Sequence, residues 1–388
     1  MLPLKLFRHR KYHHLLGLLL VGALLVSCAA GDGDDDNDGD SNGGGEVSGN
    51  AFTLRSETNS DGSAQVEFEV EPESSKFSIV ALSEGNNVRM QELSDSAGTD
   101  YLAPSGVDLS LAEQFTPELS VANVPSRSID PRLSSENTFT SRVTVARGNS
   151  AVRGTEVTFL INSRVDPDLS SGALTLNLYL VGSNAQSSGA RGIILSAVEE
   201  MRSIFRTAAN IRINLTELAI SGPAVLPSPF QGSSFYAAAT GTAPSPAVNI
   251  FVGTDIDVTG VLGLSSSIPG PAVPTSRSAV VISLLTGAGS DGEFSSEEVR
   301  LLGETMAHEG SHLMGLFHPV DVSGTVVVDS DPLSDTEDCN RVSECESTEL
   351  ISNLMYYTPL RGSDGNLIAQ NELTAQQRGV LNRYIAVD

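Results

Sequence analysis

The sequence predicts an α+β domain over residues 169–388, a mixed twisted sheet with helices packed against it, preceded over 51–168 by an all-β, sandwich-like domain. Three observations predict this. Short alternating apolar stretches fill the first region with no convincing helical stretch between them. Strand patterns surround a helical stripe in the second. A capped amphipathic helix near residue 300 then carries a cluster of histidines.

The chain opens with Lys5, Arg8, Arg10 and Lys11, then the apolar run Leu15 to Val26, then Ser27-Cys28. Basic, apolar, small-residue order is that of a secretory signal peptide over 1–27. The run is shorter than the ~20 residues needed to span a bilayer. Its ending, Leu25-Val26-Ser27-Cys28, resembles a bacterial lipobox, which implies a diacylated Cys28. Ala29 stands where an aspartate would resemble an inner-membrane retention signal. The expected place is therefore the bacterial cell envelope, as an outer-membrane lipoprotein facing the periplasm or the exterior. Residues 28–50, after Cys28, are mostly Gly, Asp, Asn and Ser with almost no apolar residue, and seven of the acidic residues lie within 32–46. Such a segment cannot bury a core and reads as a self-repelling tether. Asp34, Asp36, Asp38 and Gly39 imitate the opening of a calcium loop, but the closing glutamate is replaced by Gly45.

Charge narrows the partners. The chain has 23 basic and 48 acidic residues, and losing the four basic residues of the signal leaves 19 against 48, a net charge of −29. That acidity disfavours nucleic acid and anionic lipid surfaces. Contact with a membrane is expected through the lipid anchor only. After the signal no apolar run is long enough to cross a membrane.

In region 51–168, Gln65–Val70, Phe77–Leu82, Arg142–Val145 and Val157–Ile161 read as strands separated by Gly, Asn, Asp and Pro. The region has no histidine or cysteine and offers no catalytic group, so it is expected to be an accessory or pro-domain. In region 169–388, Ala173–Val181 reads as a strand. Gly192–Ala209 carries a helical stripe of Ile194, Leu195, Val198, Met201, Ile204 and Phe205. Ile211–Leu215, Val248–Val252 and Ala279–Leu284 follow as strands, with a Gly/Pro/Ser-rich segment around 260–276 before the last. Ser295-x-x-Glu298 fits a capping box, and Val299, Leu302, Met306 and Leu313 form one stripe. Thr374 caps a last helix carrying Val380, Leu381 and Tyr384.

The long helix ends in His308-Glu309-Gly310-Ser311-His312-Leu313-Met314-Gly315-Leu316-Phe317-His318. Residues four apart share a helix face, so His308 and His312 can point at one metal ion. Glu309 lies about 100° round from His308, beside the metal, where a general base for water belongs. Gly315 tolerates positive φ, so the chain can turn there and bring His318 as third ligand. Three neutral imidazoles with an open position form a catalytic zinc pattern rather than a closed structural one. The other histidines, His9, His13 and His14, all lie in the signal segment. An amphipathic surface helix would explain the apolar stripe. It would not explain two histidines and a glutamate on the other side.

HExxHxxGxxH resembles the metzincin clan of zinc endopeptidases. The similarity covers roughly 171–388 and is densest from 297. Asn353-Leu354-Met355-Tyr356-Tyr357 resembles the clan's methionine turn. Ser334-Asp335-Thr336 and Leu373-Thr374-Ala375-Gln376-Gln377 resemble the pappalysin family within the clan. The resemblance implies a zincin (metzincin-like) fold, Met355 as the floor under the histidines, and Tyr357 as a donor to the oxyanion. Tyr356 is the alternative donor, and core packing explains either tyrosine. It also implies that Asp331, Asp335 and Thr336 bind calcium; a solvated acidic loop is the competing account. The sequence departs from the pattern at Ser311, where similar proteins have glycine, with Gly310 one position earlier.

Cys339 and Cys345 are the only cysteines besides Cys28. In an oxidising compartment they are expected to form a disulfide; free thiols or zinc ligands are the alternatives. The expected function is zinc-dependent hydrolysis of protein or peptide substrates. Two rival readings use the same residues: a metallohydrolase acting on non-peptide bonds, and a binding lipoprotein on an inert zincin scaffold.

Overall fold

The computed structural model describes residues 49–102, 113–133, 138–166, 168–288 and 293–388. The signal segment, Cys28 and the tether as far as residue 48 lie outside these residues; residues 49 and 50, expected in the tether, instead begin a strand.

Seven strands build the first sheet: β1 (Gly49–Glu57), β2 (Ser63–Glu69), β3 (Lys76–Asp95), β4 (Glu113–Val124), β5 (Thr138–Arg147), β6 (Ser150–Ala151) and β7 (Glu156–Arg164). Their order is β1-β7-β3-β5-β2, with β4 added to β3 and β6 to β5. All pairs are antiparallel. The long β3 gives the sheet its shape. Its first part, Lys76–Leu82, pairs with β7, and its second part, Asn87–Asp95, pairs with β5. Two partners thus follow one another along β3, and the sheet turns over on itself. Phe52 of β1 comes within 6.4 Å of Phe68 of β2 between ring centroids. Phe68, Phe77 and Phe139 fill the interior. Strict alternation in β2 and β5 puts Val66, Phe68, Phe139, Val143 and Val145 inside and leaves their neighbours more exposed.

The second sheet begins at β8 (Gly172–Val181). Helices α1 (Gly182–Ala185) and α2 (Ser188–Ile204) follow, with a wider turn over Phe205–Ala209. Next come β9 (Ile211–Ile220), β10 (Val225–Leu226), α3 (Ser234–Thr240), β11 (Val248–Gly253), β12 (Asp255–Ile256), β13 (Gly263–Ser265), β14 (Val280–Ser283), α4 (Leu284–Gly287) and α5 (Ser296–Met314). The order is β13-β14-β11-β8-β9. All neighbours are parallel except β13, which runs antiparallel at the edge. Strands β11 and β14 are buried along their whole length, as expected for strands covered on both faces. One face, with Leu176, Leu178, Ile250 and Ile282, packs on Met201 of α2 and Leu302, Met306 and Leu313 of α5. The other, with Tyr179, Phe251 and Val281, packs on Tyr236 of α3 and Leu226. The stripe expected on α5 is therefore its core face.

Past α5 the chain forms the hairpin β15 (Val320–Ser323) and β16 (Val326–Ser330), then α6 (Val342–Cys345) and α7 (Ala375–Arg383). A Cys339–Cys345 disulfide is present. Thr374 and Gln377 form a capping box on α7.

A buried ammonium joins the two sheets. Lys76, at the start of β3, donates to Asp166 Oδ2 at 2.7 Å, to the Val387 carbonyl at 2.6 Å and to the Asn382 carbonyl at 3.3 Å. Its side chain is fully buried. Arg164 pairs with Asp388 at 2.9 Å beside it. Val80, Leu119 and Val121 of the first sheet pack on Val273 of the segment before β14. The last residues also extend the second sheet: Ala173 and Thr175 of β8 donate to the carbonyls of Asp388 and Ala386.

Candidate metal centre

The helix that carries the centre is fixed at both ends. At its start the Ser295 hydroxyl accepts from the Glu298 N–H while the Glu298 carboxylate accepts from the Ser295 N–H. At its end Gly315 adopts φ +117°, a conformation that disfavours a side chain. The chain turns there, and His318 returns beside the first two histidines.

The three rings converge. Nε2 of His318 lies 3.2 Å from Nε2 of His308 and 3.1 Å from Nε2 of His312. The opposite nitrogens face oxygens that can only accept. His308 Nδ1 is 2.7 Å from the Leu354 carbonyl, and His312 Nδ1 is 2.6 Å from the Leu316 carbonyl. His318 Nδ1 is 2.8 Å from Asp321 Oδ1. Each Nδ1 must then carry the hydrogen, which leaves three Nε2 lone pairs aimed at one region. Burial, then the neighbouring His318, push the pKa of His308 down to about 3. Burial, then His308 and His318, hold His312 well below its ordinary range. Neutral imidazoles are the form a metal needs. Zinc–nitrogen bonds of about 2.05 Å at tetrahedral angles would set the nitrogens about 3.3 Å apart. The observed spacing fits such an ion. Among the described residues these histidines are the group of three side chains that could hold a metal.

Glu309, adjacent to His308 in the chain, is half-buried. Burial pushes its pKa up to about 7, against the opposing effect of the Ser265 backbone N–H. Ser265 belongs to β13, the antiparallel edge strand, so Glu309 lies against the sheet edge. Close approach makes this possible. A Cβ on Gly263 would fall 2.9 Å from Glu309 Cγ and 3.0 Å from Thr305 Cγ2. A Cβ on Gly270 would fall 2.1 Å from Leu313 Cδ1, and the Gly270 N–H donates to the Leu313 carbonyl at 2.7 Å. The Gly/Pro/Ser-rich segment, expected only as a separator, thus runs along α5.

Met355 is fully buried in the same core as Leu313 and Met314. Its turn is braced by Asn353, which accepts from the Met355 N–H and exchanges hydrogen bonds with Gln377 of α7. Leu354, one residue earlier, supplies the carbonyl that holds His308. Tyr356 is buried with Val320, Cys345 and Leu350, and half-buried Tyr357 packs on it with ring centroids 4.8 Å apart.

The acidic residues lie elsewhere in the loop. Asp331 is buried; its Oδ1 accepts from the Leu333 N–H and the Thr336 hydroxyl, and its Oδ2 has no hydrogen-bond partner among the described residues. Asp335 spends both oxygens on the start of α7, accepting from the Thr374 hydroxyl and the Gln376 N–H. Thr336 thus meets Asp331, while Asp335 is turned to α7.

The sequence reading missed Asp321, Ser265, Gly263 and the two carbonyls. Asp321 was findable, since a metal-bound histidine commonly hands its other nitrogen to a carboxylate. Ser311 is fully buried at the position where the resembling family has glycine. Nothing in the structure explains Gly310.

No protein-family model and no curated protein matches the chain. Among solved structures it is similar to metalloproteinase-II from Bacteroides fragilis, at 12% identity and a TM-score of 0.32, over 57% of this chain and 61% of that one. It is also similar to the protein YXIM from Bacillus subtilis, at 7% identity and a TM-score of 0.17, over 67% and 62% of the two chains. A family two carbohydrate esterase from Cellvibrio japonicus follows, at 11% identity and a TM-score of 0.15, over 54% and 68%. All three scores lie below the level at which a shared fold is shown.

Proposed function

We propose that the chain is a zinc-dependent endopeptidase of the metzincin type. One observation carries the reading: three histidine Nε2 atoms converge while every Nδ1 is committed to an acceptor, with Glu309 alongside. Zinc held by His308, His312 and His318 supplies Lewis acidity toward water and the scissile carbonyl.

The chain's own groups do the rest. Glu309, half-buried beside the Ser265 backbone, takes the proton of the attacking water and delivers it to the leaving amine. Strand β13 ends the sheet, so an extended substrate adds to it as a further strand and is held in register by its backbone. Tyr357 is the assigned donor to the developing oxyanion, because it is the half-exposed member of its pair while Tyr356 is buried. The pappalysin-like motifs support calcium at the loop of Asp331, Asp335 and Thr336. The basic, apolar and small-residue order before Cys28 supports anchoring of this activity at the outer membrane.

The test is cleavage of a proteome-derived peptide library by the mature chain, beside Glu309→Gln at equal zinc content. The expected result is cleavage by the wild type and a loss of roughly 10²–10⁴-fold in the variant. A zinc-loaded wild type that cuts no peptide would refute the proposal.

A further inference from the structure

The three histidines are not held alike. Two are fixed by the backbone: His308 by the Leu354 carbonyl and His312 by the Leu316 carbonyl. Both carbonyls belong to core residues, Leu354 at 1% exposure and Leu316 at 0%. His318 is held by a side chain instead, and a partly exposed one. The Asp321 side chain is 48% exposed and that of His318 is 20% exposed.

Asp321 sits on the first strand of the hairpin that follows the third histidine. The register of the hairpin shifts between Asp321 and Val322. Asp329 is its cross-strand partner, yet the Asp329 carboxylate turns to its neighbour, accepting from the Ser330 N–H at 2.9 Å. Two carboxylates therefore lie close together in the hairpin, and the geometry commits one of them to His318. The hairpin is braced from behind by the disulfide loop: Val327 donates to the Asn340 carbonyl, and Val342 donates to the Thr325 carbonyl.

We infer that Asp321 is the positioning residue of the third metal ligand: it fixes the His318 tautomer and ring orientation, so that metal retention depends on one hairpin carboxylate. The inference rests on the metal-site reading above. An imidazole hydrogen-bonded to a carboxylate presents Nε2 as the lone-pair nitrogen and makes it a stronger donor; without that bond the ring can rotate and the tautomers interconvert. His308 and His312 cannot do this, because main-chain carbonyls hold them.

The experiment measures zinc affinity of the full chain by competition with a chromophoric chelator, together with the visible absorption of the cobalt-substituted protein. Asp321→Ala is expected to weaken zinc binding by roughly 10-fold to 100-fold and to alter the cobalt spectrum. Asp321→Asn, which keeps an oxygen acceptor without the charge, should recover most of the loss. Asp329→Ala removes an equal charge from the same hairpin without touching His318, and should stay within about twofold of wild type, because its carboxylate makes no such bond. Circular dichroism of the metal-free proteins should show the same folded content in all four. Equal zinc affinity for wild type and Asp321→Ala overturns the inference while leaving the metal centre standing. Equal losses in Asp321→Ala and Asp329→Ala overturn it too, by reducing the effect to local charge. A wild type that binds neither metal removes the metal-site reading itself.

Discussion

Replacing Lys76 with methionine tests whether the two sheets stand or fall together. The ammonium has three hydrogens and the structure supplies three acceptors: Asp166 Oδ2, the Val387 carbonyl and the Asn382 carbonyl. Methionine keeps the length of the stem and removes all three donors. It strands a carboxylate whose side chain is only 5% exposed. Breaking a buried ion pair from one side costs about 3–5 kcal/mol, and the two carbonyls lose a partner in the same step. The expected loss is therefore in the upper part of that range. Urea unfolding followed by far-ultraviolet circular dichroism would read it as a lower midpoint. Because Lys76 binds residues from both regions, wild type should unfold in a single transition, and the variant should shift it as a whole. A shift worth less than about 1 kcal/mol, the scale of an exposed pair, would refute the reasoning. So would a variant in which only the first sheet melts early.

Further outcomes are expected. Asp331 has its pKa raised to about 6, chiefly by burial and then by Asp335 and Asp338. The native state thus keeps a proton that the unfolded chain sheds near 3.8, so in calcium-free buffer stability should fall as pH rises from about 4 to 6. Asp331→Asn should remove that slope and be more stable than wild type at pH 7.5 by about 1–3 kcal/mol; a variant less stable than wild type there would contradict this. Gly263→Ala should lower peptidase activity at least tenfold with zinc content unchanged, since its Cβ would meet Glu309 Cγ at 2.9 Å; zinc loss in step with activity would point to general misfolding instead. Removing the disulfide with Cys339→Ser and Cys345→Ser should cost only about 2 kcal/mol, because the bridge closes a sequence separation of 6. Thermal melts of the double variant would check it, and loss of all folded structure would refute it.

Much of the centre was legible because metal ligation demands fixed spacings. His308, His312 and His318 are dictated by helix periodicity and one glycine turn, and both capping boxes are local. The core stripe of α5 follows the same periodicity. What stayed hidden was decided by tertiary contact. The second half of β3 runs Ser83 to Asp95 with few apolar residues and Gly85 at φ +71°, so it resembled a loop. Strand β4 contains Pro117, which argues against a strand until the partner is known. Strand β13 is three residues long and has no periodicity to detect. Its importance comes from Gly263 and Ser265 meeting α5, which no local pattern records. No local pattern marks Lys76 as buried, since two of its three acceptors lie 306 and 311 positions away in sequence.

That distance has a consequence for how the molecule is made. The bond from Lys76 to the Val387 carbonyl spans 311 positions, and β8 waits more than two hundred residues for the Asp388 and Ala386 carbonyls that close its open end. Synthesis runs from the amino end, so both needs stay unmet until residues 382–388 emerge. Until then a buried cation lacks two of its acceptors and a sheet edge lies open to foreign strands. The first sheet therefore keeps one buried group short of partners until the second sheet's region is nearly complete.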